Sequence, residues 1–151
     1  MRVVLQRVSR AELRVDGEVV SRVDRGVVVL VGVETGDTSA DVSLAVDKIA
    51  ALRIFPDDED RMNVSLQQAG GQVMVVSQFT LLGDVRKGRR PSFTAAAPPE
   101  EAAPLIDQMV EEFRSTGVDT VTGVFGAKME VDLVNDGPVT LVFDVRNARL
   151  G

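Results

Sequence analysis

The run Gly26-Val27-Val28-Val29-Leu30-Val31-Gly32-Val33 constrains the fold more than any other stretch of the chain. Almost unbroken β-branched residues offer water no polar side, so the run reads as a strand buried on both faces. Such a strand needs neighbours in its sheet and cover above and below. Residues 2–15 alternate loosely and are rich in Val, as a strand does. Asp16-Gly17 is a hairpin signal, and Glu18 to Asp24 returns as a second strand.

Cover comes from two helical patterns. Thr38, Ser39 and Asp41 are helix-start residues, and Val42, Ala45, Val46 and Ile49 share one helical face. A second helix follows Pro98-Pro99, with Leu105, Ile106, Met109, Val110 and Phe113 as its stripe and Gly117 as its C-cap. Gly70-Gly71 marks a turn into a strand from Gln72 to Leu82, and strands are expected at Asp119–Phe125, Met129–Val134 and Val139–Val145. The order βββαββαβββ predicts one mainly antiparallel α+β domain over residues 1–151.

The residues that are missing narrow the chemistry. With no Cys and no His, the chain has no thiol nucleophile, no Ser-His-Asp triad and no zinc site of the Cys/His type. Chemistry must use carboxylates, Lys or Arg, hydroxyls, amides, backbone groups or the substrate itself; an all-carboxylate magnesium site stays open in principle. Asp57-Asp58-Glu59-Asp60 lacks the turn glycine of a calcium loop and reads as a solvated loop. No apolar run approaches the roughly 18 to 20 residues of a membrane span, and a cytoplasmic protein is expected. A net charge of −6 weighs against nonspecific nucleic-acid binding. Against that trend, Arg86-Lys87-Gly88-Arg89-Arg90 gathers four cations in five positions. Such a cluster suits phosphates or simply solvent.

Three further segments carry groups suited to chemistry. Ser77-Gln78-Phe79-Thr80-Leu81 brings two hydroxyls and an amide to a strand end; by strand alternation Ser77 and Phe79 face one way, Gln78 and Thr80 the other. Phe125-Gly126-Ala127-Lys128-Met129 offers an aromatic ring and a thioether, as a wall for a base or as ordinary core. Asn135-Asp136-Gly137-Pro138-Val139-Thr140 has the composition of a hairpin turn. From residue types alone, a Thr80 or Ser77 esterase or amidase and a catalytically silent RNA-binding dimer both remain open.

Taken in order and spacing, Gln6-Arg7-Val8, Ser77–Leu81, Arg86–Phe93, Phe125–Met129 and Asn135–Thr140 resemble the D-aminoacyl-tRNA deacylases. The likeness runs to just past Asp144; Gly83 and Val85 depart from the pattern, and the tail Arg146–Gly151 lies outside it. The resemblance implies a barrel-like, β-rich homodimer with two helices and an active site at the subunit interface. It also implies hydrolysis of D-aminoacyl-tRNA and of mischarged glycyl-tRNA; from the missing Cys and His, neither a metal nor a cofactor is expected. Within it, Ser77, Gln78, Phe79 and Thr80 form the catalytic floor, with backbone N–H groups near Gln78 and Phe79 meeting the oxyanion. Gly137-Pro138 resembles a Gly-cis-Pro motif that excludes L side chains from the second copy's pocket, held by Arg7. Phe125 and Met129 would line the terminal adenosine, and Arg86, Lys87, Arg89 and Arg90 would meet tRNA phosphates. The ribose 2′-hydroxyl would assist the attacking water, because Thr80 has no recognisable base.

Overall fold

A computed structural model describes all 151 residues. Strand β1 (Arg2–Val15) turns through Asp16-Gly17, both at positive φ, into β2 (Glu18–Val23), as expected for the primed hairpin turn. Strand β3 (Gly26–Gly32) pairs with β1 over Arg2–Val8. Helix α1 (Ser39–Ala51) starts at Thr38, whose N–H and hydroxyl both donate to the Asp41 carboxylate at 2.8 Å. Val42, Ala45, Val46 and Ile49 are all buried, the face the spacing predicts. Strands β4 (Phe55–Pro56) and β5 (Met62–Val64) form a short hairpin. The acidic loop sits at its tip, with Asp57 accepting hydrogen bonds from Glu59 N–H, Arg61 N–H and the Asn63 amide.

Strand β6 (Gln72–Ser77) then runs parallel to β3, and after it comes helix α2 (Pro99–Ser115). Ala102, Ile106, Met109, Val110 and Phe113 of α2 are buried, while Leu105, expected on the stripe, is only half-buried. Gly117 follows the helix at φ +81, in the capping conformation expected of it. Strand β7 (Thr120–Thr122) is parallel to β6 and much shorter than the Asp119–Phe125 strand expected. The chain ends with β8 (Met129–Arg146) and β9 (Arg149–Leu150). No helix is long and apolar enough to cross a membrane.

The main sheet runs β7-β6-β3-β1-β8-β9, with β2 on the far end of β1, and curls into a half-barrel. Strand β3 is buried on both sides, as its sequence demands. Val27, Val29 and Val31 face the large core under the helices; Val28 faces a smaller core with Val8, Leu13, Met74 and Val76. Each fully buried side chain of this size stabilises the fold by about 1.5–3 kcal/mol.

One expectation fails in β8. Asn135–Thr140 is not a turn between two strands. Asn135 pairs with Val8 and Thr140 with Gln6, so β8 keeps its direction along β1 and throws out Asp136–Val139 opposite Arg7. Turn residues are also what an excursion from a strand needs. Here the apolar residues on both sides, Leu133 against the small core and Leu141 and Phe143 against the large one, keep the strand on one track.

Candidate active site

At the end of β6 the chain leaves the sheet. The Gln78 N–H donates to the Val31 carbonyl at 2.7 Å, and Phe79–Leu82 then coil into a 3-10 turn. The expected strand to Leu82 therefore stops at Ser77, and the alternation predicted for Ser77 to Thr80 is lost. Leu81 N–H bonds the Gln78 carbonyl at 3.2 Å, and Gly83 N–H bonds the Thr80 carbonyl at 3.1 Å. The N–H groups of Phe79 and Thr80 open this turn, where a helix has no acceptor of its own to offer.

Beside the turn lies a cavity of about 310 Å³. Val31, Val33, Ala102 and Ile106 form its inner wall, and Ser77, Gln78 and Phe79 form one side. Phe125 and Gly126 close the other side. No lining side chain is ionisable. Phe79 is 57% exposed at the mouth, far more than packing alone would leave a Phe. Thr80 is not on the wall; its hydroxyl accepts a hydrogen bond from the Gln78 amide, and no acid or base is bonded to it. Met129 is not on the wall either and packs against the small core, so the structure brings Phe125 to the cavity without Met129.

The excursion from β8 is braced at its base. Arg7 is 8% exposed and donates to the Ile54 carbonyl at 2.5 Å and the Asp136 carbonyl at 3.0 Å. The Asp136 carboxylate lies 3.3 Å from the same guanidinium. Asn135 closes the neck: its Oδ1 accepts from Val139 N–H at 2.9 Å and its Nδ2 donates to the Thr140 hydroxyl at 2.8 Å. The Gly137–Pro138 bond is cis, and both residues are exposed. Neither lines the cavity of its own chain. Sequence reasoning singled out Arg7 but missed Asp136 and Ile54 as its partners. It also missed the wall residues Val31 and Ala102, whose only signal was their place in a strand and a helix stripe.

The basic cluster sits in a loop closed by two backbone hydrogen bonds between Asp84 and Ser92, at 2.7 and 2.9 Å. Arg86 does not face solvent alone. Its guanidinium holds Asp84 with bonds of 2.9 and 2.7 Å, which lowers the Asp84 carboxyl to about 2 and raises the Arg86 pKa. Lys87, Arg89 and Arg90 are exposed and carry no ion pair. Below this loop, Arg2 grips Asp144 at 2.8 and 2.9 Å, and that hydrogen-bonded pairing lowers the Asp144 pKa against the opposing effect of burial. The tail outside the family pattern continues the sheet, and its Ala148 N–H donates to the buried Asp41 carboxylate at 2.8 Å. Burial pushes that carboxyl up, but the bonds from Ala148 and Thr38 outweigh it and hold its pKa low.

Comparison with known proteins identifies the family. The family model described as D-Tyr-tRNA(Tyr) deacylase matches residues 4–144. A D-aminoacyl-tRNA deacylase of Desulfitobacterium hafniense is 57% identical over 144 residues, 95% of this chain and 97% of that protein. One from Thermomicrobium roseum is 56% identical over 151 residues, 100% of this chain and 98% of its own. Among solved structures, a c-Myc DNA unwinding element binding protein is 37% identical and superposes with a TM-score of 0.90, covering 97% of this chain and 99% of that one. A probable eukaryotic D-amino acid tRNA deacylase, 24% identical over 95% of this chain and 98% of its own, shares the fold with a TM-score of 0.81. The family match spans the 3-10 turn, the cavity wall and the braced excursion alike, and the chain belongs to the D-Tyr-tRNA(Tyr) deacylase family.

Proposed function

We propose that the protein hydrolyses the ester between a D-amino acid and the 3′ end of tRNA, releasing the free amino acid and intact tRNA. The observation that carries this reading is the cavity: apolar, free of ionisable side chains, and lined by Ser77, Gln78 and Phe79 where the 3-10 turn begins. Such a pocket suits a flat nucleoside, and not a mechanism that needs a protein base.

The terminal adenosine enters between Phe79 and Phe125, the two aromatic rings that line the cavity. Water adds to the ester carbonyl, and the ribose 2′-hydroxyl helps take its proton. The tetrahedral oxyanion meets the N–H groups of Phe79 and Thr80; that of Gln78 already serves Val31. Each such donor contributes about 2.7–4 kcal/mol to lowering the barrier. The carbon–oxygen bond to the ribose then breaks, and the 3′-oxygen takes up a proton. Thr80 orients the Gln78 amide through its hydroxyl and forms no covalent intermediate.

Selection against L-amino acids falls to Gly137-Pro138 acting in the cavity of a second copy. Two features support this reading. The excursion is braced by Arg7 and Asn135 yet lies outside its own cavity wall. The outer edge of β8 also has no neighbouring strand before Val145, and Val131, Val134 and Val142 are exposed along it, as a face covered by another copy would be. Glycine, having no side chain to exclude, passes the same filter, so glycyl-tRNA is a substrate. Lys87, Arg89 and Arg90 meet phosphates further along the tRNA.

Ala97→Phe tests the location of the chemistry, because Ala97 lines the cavity without belonging to the turn. With the unfolding midpoint preserved, release of the D-amino acid falls by two orders of magnitude or more. An unchanged rate would place the reaction elsewhere.

A further inference from the structure

Resting on the aminoacyl-tRNA reading above, we propose that Phe93 joins Phe79 in a stacking subsite for the base immediately 5′ of the terminal adenosine. The two rings meet edge to face, with centroids 5.1 Å apart and planes at 74°. An edge contact of this kind covers at most one face of either ring. Phe79 is 57% exposed at the lip of the cavity and Phe93 is half-buried against it, so the pair places a second aromatic ring just outside the cavity wall.

Two local features hold Phe93 there. The backbone bonds between Asp84 and Ser92 close the basic loop at its foot, and Phe93 is the next residue. Gly83 lets the ring lie against the turn: a Cβ at that position would sit 2.9 Å from Phe93 Cε1 and 3.1 Å from the Thr80 carbonyl oxygen. The same loop carries Lys87, Arg89 and Arg90, exposed and without ion pairs. Cavity, aromatic pair and cations thus follow one another along one path. That succession fits a single-stranded 3′ end, with one nucleoside enclosed, the next base stacked and the phosphates beyond it neutralised. Stacking tolerates any base, so this subsite reads single-strandedness and not sequence.

The test compares D-aminoacyl-tRNA with the same molecule made abasic at the penultimate nucleotide, in the wild type, Phe93→Leu and Phe93→Tyr. The penalty for removing the base is taken as a ratio of kcat/KM within each protein, so a general loss in a variant cancels. The wild type shows a penalty of roughly 5- to 150-fold, as expected for one stacked base. Phe93→Tyr keeps that penalty, and Phe93→Leu brings it close to unity. No penalty in the wild type, or the same penalty in Phe93→Leu as in the wild type, overturns the subsite. D-aminoacyl-adenosine, which has no penultimate base, separates the two claims: no release from it or from the tRNA would sink the proposed activity, whereas release with equal penalties would sink only the subsite.

Discussion

Adding one methyl group at Gly137 tests the braced excursion directly. Gly137 sits at φ +134, a conformation L residues rarely adopt. A Cβ there would lie 2.8 Å from Val139 Cγ2, 3.0 Å from Val139 N and 3.2 Å from Arg7 Nη2. The valine methyl can rotate away. The other two neighbours are fixed, since Val139 N–H is bonded to Asn135 and the Arg7 guanidinium is tied to Ile54 and Asp136. Gly137→Ala therefore shifts the tip, at a cost of about 1–3 kcal/mol. For a chain of this size that lowers Tm by roughly 2–12 °C. If the tip shapes the pocket of a second copy, the same energy appears in kcat/KM as a loss of roughly 5- to 150-fold on the D substrate. The D-to-L rate ratio falls with it. Thermal unfolding and single-turnover hydrolysis of both enantiomers measure these quantities. A lowered Tm with rate and ratio both unchanged would refute the role given to this motif.

Thr80→Ala retains substantial hydrolysis, because nothing bonded to the Thr80 hydroxyl can act as its base; a loss of several orders of magnitude with tRNA binding intact would restore a covalent mechanism. A 2′-deoxy terminal adenosine slows the wild type sharply, measured as single-turnover release. Neutralising Lys87, Arg89 and Arg90 together weakens tRNA binding and reduces the slope of log K against log salt by up to about 2, whereas Arg86→Gln changes it little because Asp84 already balances Arg86. Asp144→Asn lowers the unfolding midpoint at pH 7, because the Arg2 pairing holds the Asp144 carboxyl below its unfolded pKa. That contribution is complete above the ordinary carboxylate value of about 3.9 and fades as pH falls through the lower folded value, so the gap to the wild type closes in acid.

What the sequence made legible follows from how local each signal is. The burial of β3 on both faces needs only its own run of valines, and both cores confirm it. The caps at Thr38 and Gly117 and the turn at Asp16-Gly17 are equally local. The excursion in β8 is not local. Asn135-Asp136-Gly137-Pro138 has the same composition whether the chain reverses or bulges, and only the register on β1 decides between them. The 3-10 turn was hidden for a similar reason, since Ser77–Leu82 reads as strand until the Val31 carbonyl captures the Gln78 N–H. Arg7 was legible only through family resemblance, because an Arg inside a Val-rich strand does not announce that carbonyls from residues 54 and 136 converge on it. Arg86 joined the phosphate-binding cluster by charge and by family resemblance, and neither signal showed that Asp84, two residues earlier, pairs with it.

The most direct test of the account uses one tRNA charged with the D and with the L form of the same amino acid. Each is incubated with the purified protein, and release of the free amino acid is followed in a single turnover. Release from the D ester is rapid, and the rate on the L ester is no greater than spontaneous hydrolysis. Equal rates on the two would contradict selection by the Gly137-Pro138 excursion, and no release from either would contradict the assignment of the cavity beside the Phe79–Leu82 turn as an ester-hydrolysing site.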